Sequence, residues 1–204
     1  MSHITPATKE AVALALHESN LLKFGEFTLK SGLVSPFYID LRQAQSHPKT
    51  FAAIVTAYAE MIEDIDLSIF LAGIPEAGTP FASATGYKTG RPLLQPRKVV
   101  KTHGTKSSIE GDYQAGDKVI LLDDLITKGD SKLEAIKQIE DAGLAIEKFI
   151  VLIDREQGGL ALVRDAGHVI EAAFTISELI ESLFVQQKIT EERRDLVLDF
   201  IKNN

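Results

Sequence analysis

The segment densest in chemistry is Val119-Ile-Leu-Leu-Asp123-Asp124-Leu125-Ile126-Thr127-Lys128-Gly129-Asp130-Ser131. The run from Lys118 to Asp124 reads as a near-continuous apolar strand, buried on both faces, that ends in two carboxylates. A short polar loop with one glycine then turns into a helix. Backbone N–H groups of such a loop, with the helix N-terminus behind it, converge on one spot and favour an anion there. Thr127 and Ser131 add hydroxyl donors. The two acids repel that anion, but as acceptor-only groups they can take the hydrogens of a diol or help hold a divalent cation. A phosphate cradle beside a diol acceptor describes a ribose 5-phosphate. The pattern is equally that of a plain strand–loop–helix, with solvated acids and Ser131 as a simple cap.

A second signal is electrostatic. The chain carries 22 basic and 29 acidic side chains, a formal net charge of -7, yet has no Asp or Glu from Ala77 to Ile109. That stretch holds Lys88, Arg91, Arg97, Lys98, Lys101, Lys106 and His103. Either it is a solvated basic loop, or a field of one sign gathers a multiply charged anion. Other phosphate and metal signatures are missing: there is no G-x-x-x-x-G-K-[ST], no G-x-G-x-x-G and no H-E-x-x-H. The five histidines are scattered, and His17, His47 and His168 read as structural or exposed.

The elements that must position these groups follow from composition and pattern. With 204 residues the chain is one domain, large enough to fold without staples. It has no Cys, which excludes disulfides and thiolate metal sites. Every 18-residue stretch contains a charge, so no transmembrane helix is expected, and the N-terminus lacks an apolar export signal. A cytoplasmic protein with neither membrane nor nucleic acid as partner is the expectation. Thr5-Pro6 announces a first helix running to about Leu22, and Pro48 a second to about Glu63. Residues 27–32 and 35–40 read as short strands around a Ser-Gly turn. Buried strands are expected at 67–72, 118–124 and 149–154, with a strand-like 92–95, a helix at 78–88 and a long polar loop at 97–111. Ser131-x-x-Glu134 is a capping-box pattern for a helix stopping at Gly143. A short helix, a strand at 168–174 and two helices complete an α/β fold, with a mainly parallel central sheet flanked by helices. Ligands in such sheets sit beyond the carboxyl ends of the strands.

The 119–131 segment resembles the phosphoribosyl-diphosphate signature of type I phosphoribosyltransferases: an apolar strand, two acids, two apolar residues, then Thr-x-Gly-x-Ser/Thr. Three further segments narrow the likeness. Residues 27–42, with Lys30 and Tyr38, resemble the N-terminal hood of orotate phosphoribosyltransferase. Arg97-Lys98-Val-Val-Lys101-Thr-His103-Gly104 is similar to that family's mobile catalytic loop, and Asp154-Arg155-Glu-Gln-Gly-Gly159 to its orotate-contacting turn.

The resemblance implies one phosphoribosyltransferase domain over 1–204, with a hood mainly in residues 1–45 and a mobile loop at about 97–111. It implies transfer of the 5-phosphoribosyl group from 5-phospho-α-D-ribose 1-diphosphate (PRPP) to N1 of orotate, giving orotidine 5'-phosphate and diphosphate in de novo pyrimidine (UMP) biosynthesis. It assigns Asp123 and Asp124 to the ribose hydroxyls, and the loop Leu125, Ile126, Thr127, Lys128, Gly129, Asp130 and Ser131 to the 5-phosphate. Arg97, Lys98, Lys101 and His103 are implied for the diphosphate and catalysis, in a homodimer that shares the loop. Lys30 and Tyr38 would line the base and diphosphate region, and Thr127 and Arg155 would contact orotate. Arg155 could instead pair with Asp154 or Glu156. Mg²⁺ is implied as cofactor, held mainly through the substrate diphosphate without a dedicated protein cage. Lys128 and Asp130 depart from the family's small residues, and Ala77 stands where some relatives carry a basic residue. A transferase for another base, or a non-catalytic PRPP-sensing regulator on the same fold, is the alternative. A fused decarboxylase domain is not expected.

Overall fold

The computed structural model describes residues 4–28, 32–98 and 108–204. Helix α1 (Pro6–Glu18) opens at Thr5, whose side chain accepts the Thr8 N–H, with Pro6 in the first turn. It ends four residues before the expected Leu22. Asn20 adopts a left-handed φ of 55°, and Leu22 instead opens a strand. Strands β1 (Leu22–Thr28) and β2 (Val34–Ile39) form an antiparallel ribbon separate from the main sheet, from Leu22 opposite Ile39 to Thr28 opposite Val34. The first of them therefore begins earlier than the expected 27–32. Residues 29–31 of the expected turn lie outside the described segments.

A 3₁₀ turn (Leu41–Ser46) leads into α2 (Pro48–Met61), β3 (Phe70–Gly73), α3 (Gly78–Thr89) and β4 (Leu93–Pro96). There follow β5 (Ile109–Glu110), β6 (Lys118–Ile126), α4 (Asp130–Asp141), β7 (Ala145–Asp154) and α5 (Gly159–Asp165). Strand β8 (Ile170–Thr175) and helices α6 (Ile176–Val185) and α7 (Glu191–Lys202) finish the chain. The six-stranded sheet runs β5-β4-β3-β6-β7-β8, all parallel except β5, which pairs antiparallel with β4. This is the expected mainly parallel α/β sheet flanked by helices. The tail of the expected 97–111 loop is thus a strand, because Ile109 is buried against the sheet edge. None of the helices among the described residues is long and apolar enough to cross a membrane.

Alternation along β6 divides the core. Ile120 and Leu122 join one apolar cluster with Leu71, Tyr58 and Ile54, under α1, α2 and α6. Val119 and Leu121 join the other, with Val151, Ile136 and Ile139, under α4. Each fully buried aliphatic side chain contributes roughly 1.5–3 kcal/mol.

The structure corrects two local expectations. Strand β6 does not end at Asp124. Leu125 and Ile126 continue the ladder against Ile153 and Asp154 of β7. The capping box does not form either. Helix α4 starts at Asp130 behind Gly129, whose φ is 96°, and no side chain caps it. Ser131 is already inside the first turn, so its hydroxyl is misplaced for capping.

Arg91 departs from the basic cluster that sequence suggests. It is 5% exposed, and its guanidinium donates to the carbonyls of Ile62 (2.8 Å), Ile65 and Asp66, just beyond the last turn of α2. It gathers carbonyls of the turn between α2 and β3, with the Asp66 carboxylate as its nearby charge, rather than joining a basic cluster. Replacing Arg91 with Met should lower unfolding free energy by about 1.5–3 kcal/mol, the range for hydrogen bonds to a charged group. Urea denaturation checks this; an unchanged midpoint would contradict this role.

Candidate active site

The sheet order sets where a ligand can enter. The chain leaves β3 toward β4 on one side and leaves β6 toward β7 on the other, so the strand order reverses between β3 and β6. β3 stops pairing at Gly73, opposite Leu122. Asp123 and Asp124 are the next residues of β6, beyond the end of β3. The 74–77 turn lies on the β3 side, and its Pro75–Glu76 peptide is cis.

The two acids are in different surroundings. Asp123 is 4% exposed, and its Oδ2 accepts from the ammonium of Lys132, which is also buried. Its Oδ1 accepts the Asp124 N–H at 2.8 Å. Burial pushes the Asp123 carboxyl well above the usual carboxylate range, and Lys132 pulls it back. Its carbonyl accepts the Tyr58 hydroxyl at 2.7 Å, and burial raises that phenol. Asp124 is half-buried, and its Oδ1 accepts the Leu125 N–H at 2.7 Å.

Thr127 to Ser131 form the turn into α4. The first donors to close onto the helix are the N–H groups of Lys132 and Leu133, both to the Gly129 carbonyl, at 2.9 and 3.2 Å. The N–H groups ahead of them form the open end of the helix, where its dipole favours an anion. Lys128, Asp130 and Ser131 are exposed. The turn is fixed from behind by the 155–159 segment. Gly159 N–H donates to the Thr127 carbonyl at 2.9 Å, and Arg155 N–H to the Ile126 carbonyl at 3.0 Å. A Cβ on Gly129 would sit 3.0 Å from the Gly159 carbonyl oxygen.

The same contacts bring Arg155 beside the turn. Its guanidinium lies over the Phe37 ring, 5.2 Å from the centroid, and links the end of β7 to the β1–β2 ribbon. Its Nε is buried without a hydrogen-bond partner, and no ion pair to Arg155 occurs among the described residues. Burial lowers its pKa, with Tyr38 acting in the opposite sense. The acids expected to compete for it are engaged elsewhere. Asp154 accepts the Glu156 N–H at 2.9 Å, and Glu156 accepts the Ser177 N–H at 2.9 Å. Tyr38 is 36% exposed, with its ring 5.5 Å from that of Phe27.

Arg97 and Lys98 are placed at the base of the basic segment. Arg97 pairs with Glu110, and its N–H donates to the Ser108 carbonyl at 2.9 Å. Gln138 of α4 donates its amide to the carbonyls of both Arg97 (2.9 Å) and Ser108 (3.1 Å). Lys98 Nζ stands 3.7 Å from Glu76 in the 74–77 turn. Lys30, Lys101 and His103 lie outside the described residues. Sequence reasoning missed Lys132, Gln138 and Phe37. Only Lys132 left a signal: it shares the buried stripe of α4 with Ile136 and Ile139, a position where lysine is out of place.

A strand-borne acid pair at the switch point, a glycine-turned helix N-terminus and a separate N-terminal ribbon over the strand ends define a type I phosphoribosyltransferase fold. No family model matches the chain. The orotate phosphoribosyltransferase of Sulfolobus acidocaldarius is 34% identical over 190 residues, covering 93% of this chain and 95% of that protein. The crystal structure of orotate phosphoribosyltransferase from Aeropyrum pernix superposes with a TM-score of 0.73 at 28% identity, over 85% of this chain and 98% of that one. UMP synthase of Leishmania donovani gives a TM-score of 0.85 at 34% identity; the match spans 98% of this chain but only 43% of that longer one. The chain belongs to the orotate phosphoribosyltransferase family.

Gly129→Ala should destabilise the protein by about 1–2 kcal/mol, because the side chain must hold a left-handed φ and press on Gly159. The urea midpoint of the variant measures it; an unaltered midpoint would mean the turn relaxes without cost.

Proposed function

We propose that this protein transfers the 5-phosphoribosyl group of PRPP to N1 of orotate, releasing diphosphate and forming orotidine 5'-phosphate. The observation that carries this reading is Arg155: a desolvated guanidinium beside the phosphate turn, with no ion pair among the described residues. Orotate differs from uracil by one carboxylate, and a guanidinium takes a carboxylate through paired N–H donors.

The residues divide the work as follows. The open N–H groups at Thr127–Ser131 take the 5-phosphate. Asp124, the more open acid, accepts from the ribose hydroxyls. Tyr38, on the exposed face of the ribbon, flanks the base, while the buried Phe37 supports Arg155. The carbon–oxygen bond to diphosphate weakens before N1 attacks, so positive charge grows on the sugar and negative charge on the leaving group. Catalysis is then chiefly positioning and electrostatic stabilisation. Lys98, Lys101 and His103 supply cations for the leaving diphosphate, with Arg97 freed from Glu110 to join them. Lys30 lines the base and diphosphate region.

Among the described residues no group of three His, Asp or Glu gathers as a metal cage. The hard oxygens of Asp124 suit Mg²⁺ carried mainly on the substrate's own diphosphate and hydroxyl oxygens. When bound, Mg²⁺ neutralises part of the leaving group's charge. A cytoplasmic homodimer in which the 97–111 segment serves the neighbouring subunit completes the reading.

Protein mixed with Mg²⁺, PRPP and orotate should consume orotate, seen as a fall in its absorbance. No fall, with PRPP still bound, would favour a PRPP-sensing regulator, and turnover of another base in a panel would reassign the substrate. Arg155→Ala should weaken orotate binding by about 1.5–3 kcal/mol, the range for a charged hydrogen bond, and leave PRPP binding little changed. Equal orotate affinity in titration calorimetry would remove Arg155 from base recognition.

A further inference from the structure

Lys132 takes no part in the chemistry above, yet it is 8% exposed and sits in the first turn of α4. A cation there opposes the helix dipole, and a lysine is rarely buried without a partner. Its partner is Asp123, one residue from the acid assigned to the ribose and on the neighbouring strand. Alternation along β6 sends Asp123 to the α4 face, with Val119 and Leu121, and Asp124 to the opposite face. From that other face Tyr58 of α2 holds the Asp123 carbonyl. Asp123 is therefore held from both layers, its carbonyl by α2 and its carboxylate by the helix that carries the phosphate turn.

We propose that Lys132 is a positioning residue for the sugar phosphate. Its ion pair with Asp123 ties the acid-bearing strand to the phosphate-binding helix, so that the ribose end and the phosphate end of the pocket keep one spacing. The pair also divides labour between adjacent carboxylates. One charge of the two is neutralised inside the protein, which leaves Asp124 to meet the diol without a second bare carboxylate beside it. The inference rests on the phosphoribosyl reading above and adds to it a residue that does not touch the substrate.

The test is kinetic and binding analysis of Lys132→Met, Lys132→Arg and the double variant Lys132→Met/Asp123→Asn, each first shown to be folded by circular dichroism and urea denaturation. Lys132→Met should raise KM and Kd for PRPP about tenfold or more, with KM for orotate changed less than about twofold. Lys132→Arg should restore most of the PRPP affinity, because it returns the cation. The double variant removes both charges, so it should bind PRPP better than Lys132→Met alone and stay measurable if the single variant does not fold. A Lys132→Met enzyme with unchanged PRPP binding, or one whose two KM values rise together, overturns the inference. Wild-type protein that binds no PRPP in calorimetry overturns the phosphoribosyl reading, and this inference with it.

Discussion

The site depends on one mismatch of strand lengths. β6 continues to Ile126 against β7, while its other neighbour, β3, stops at Gly73. Past Leu122, β6 has a hydrogen-bonded partner on one side only. A crevice opens on the side β3 has vacated, and the residues that occupy this half-paired stretch are Asp123 and Asp124. If β3 were two residues longer, the acids would be covered by a neighbouring strand. If β6 were two shorter, they would swing into the loop with no fixed direction. The reversal of strand order between β3 and β6 sends their following connections in opposite directions along the sheet, and the start of α3 at Gly78 packs against Leu122 and Asp123.

Three cations removed from water, Lys132 and Arg155 at the crevice and Arg91 at the opposite, amino-terminal end of β3 and β4, are used differently. Arg91 gives both terminal nitrogens to carbonyls beyond α2, although its Nε has no partner. Lys132 is spent on Asp123, inside the site's foundation. Arg155 is partly desolvated and rests on an aromatic face, with neither a hydrogen bond nor an ion pair to its guanidinium among the described residues. A buried cation is costly unless paired, so an engaged one reports structure and a poised one reports a ligand. Partnership, rather than charge or burial alone, separates the two cases.

Much of the architecture was legible in the chain. Near-continuous apolar strands at 118–124 and 149–154, separated by a helical pattern, require a sheet covered on both faces. Helix starts at Pro6 and Pro48 follow from a fixed φ at the first position. The boundaries that failed were those decided by neighbours. Asp124 looked like a strand end because charge seldom continues a buried strand, but β7 supplied a ladder for two more residues. Ser131 looked like a cap because of Glu134, but Gly129 could take a left-handed φ two residues sooner and closed the turn first. Leu22 looked helical because its apolar spacing continued α1, but pairing with Ile39 won.

Residue order alone set the chemistry on offer: two acceptor-only acids ahead of a glycine turn, a basic stretch without acids, and an arginine after a buried strand. Those are properties of residue type and local order, and short-range geometry suffices to read them. Which of these groups are already engaged was settled by the folded arrangement. It paired Asp123 with Lys132, Arg97 with Glu110 and Arg91 with the carbonyls beyond α2, and it set Arg155 over Phe37. The reason is physical. A side chain's availability depends on partners brought close by the sheet order and by the ribbon folding over it, and those partners are remote in sequence.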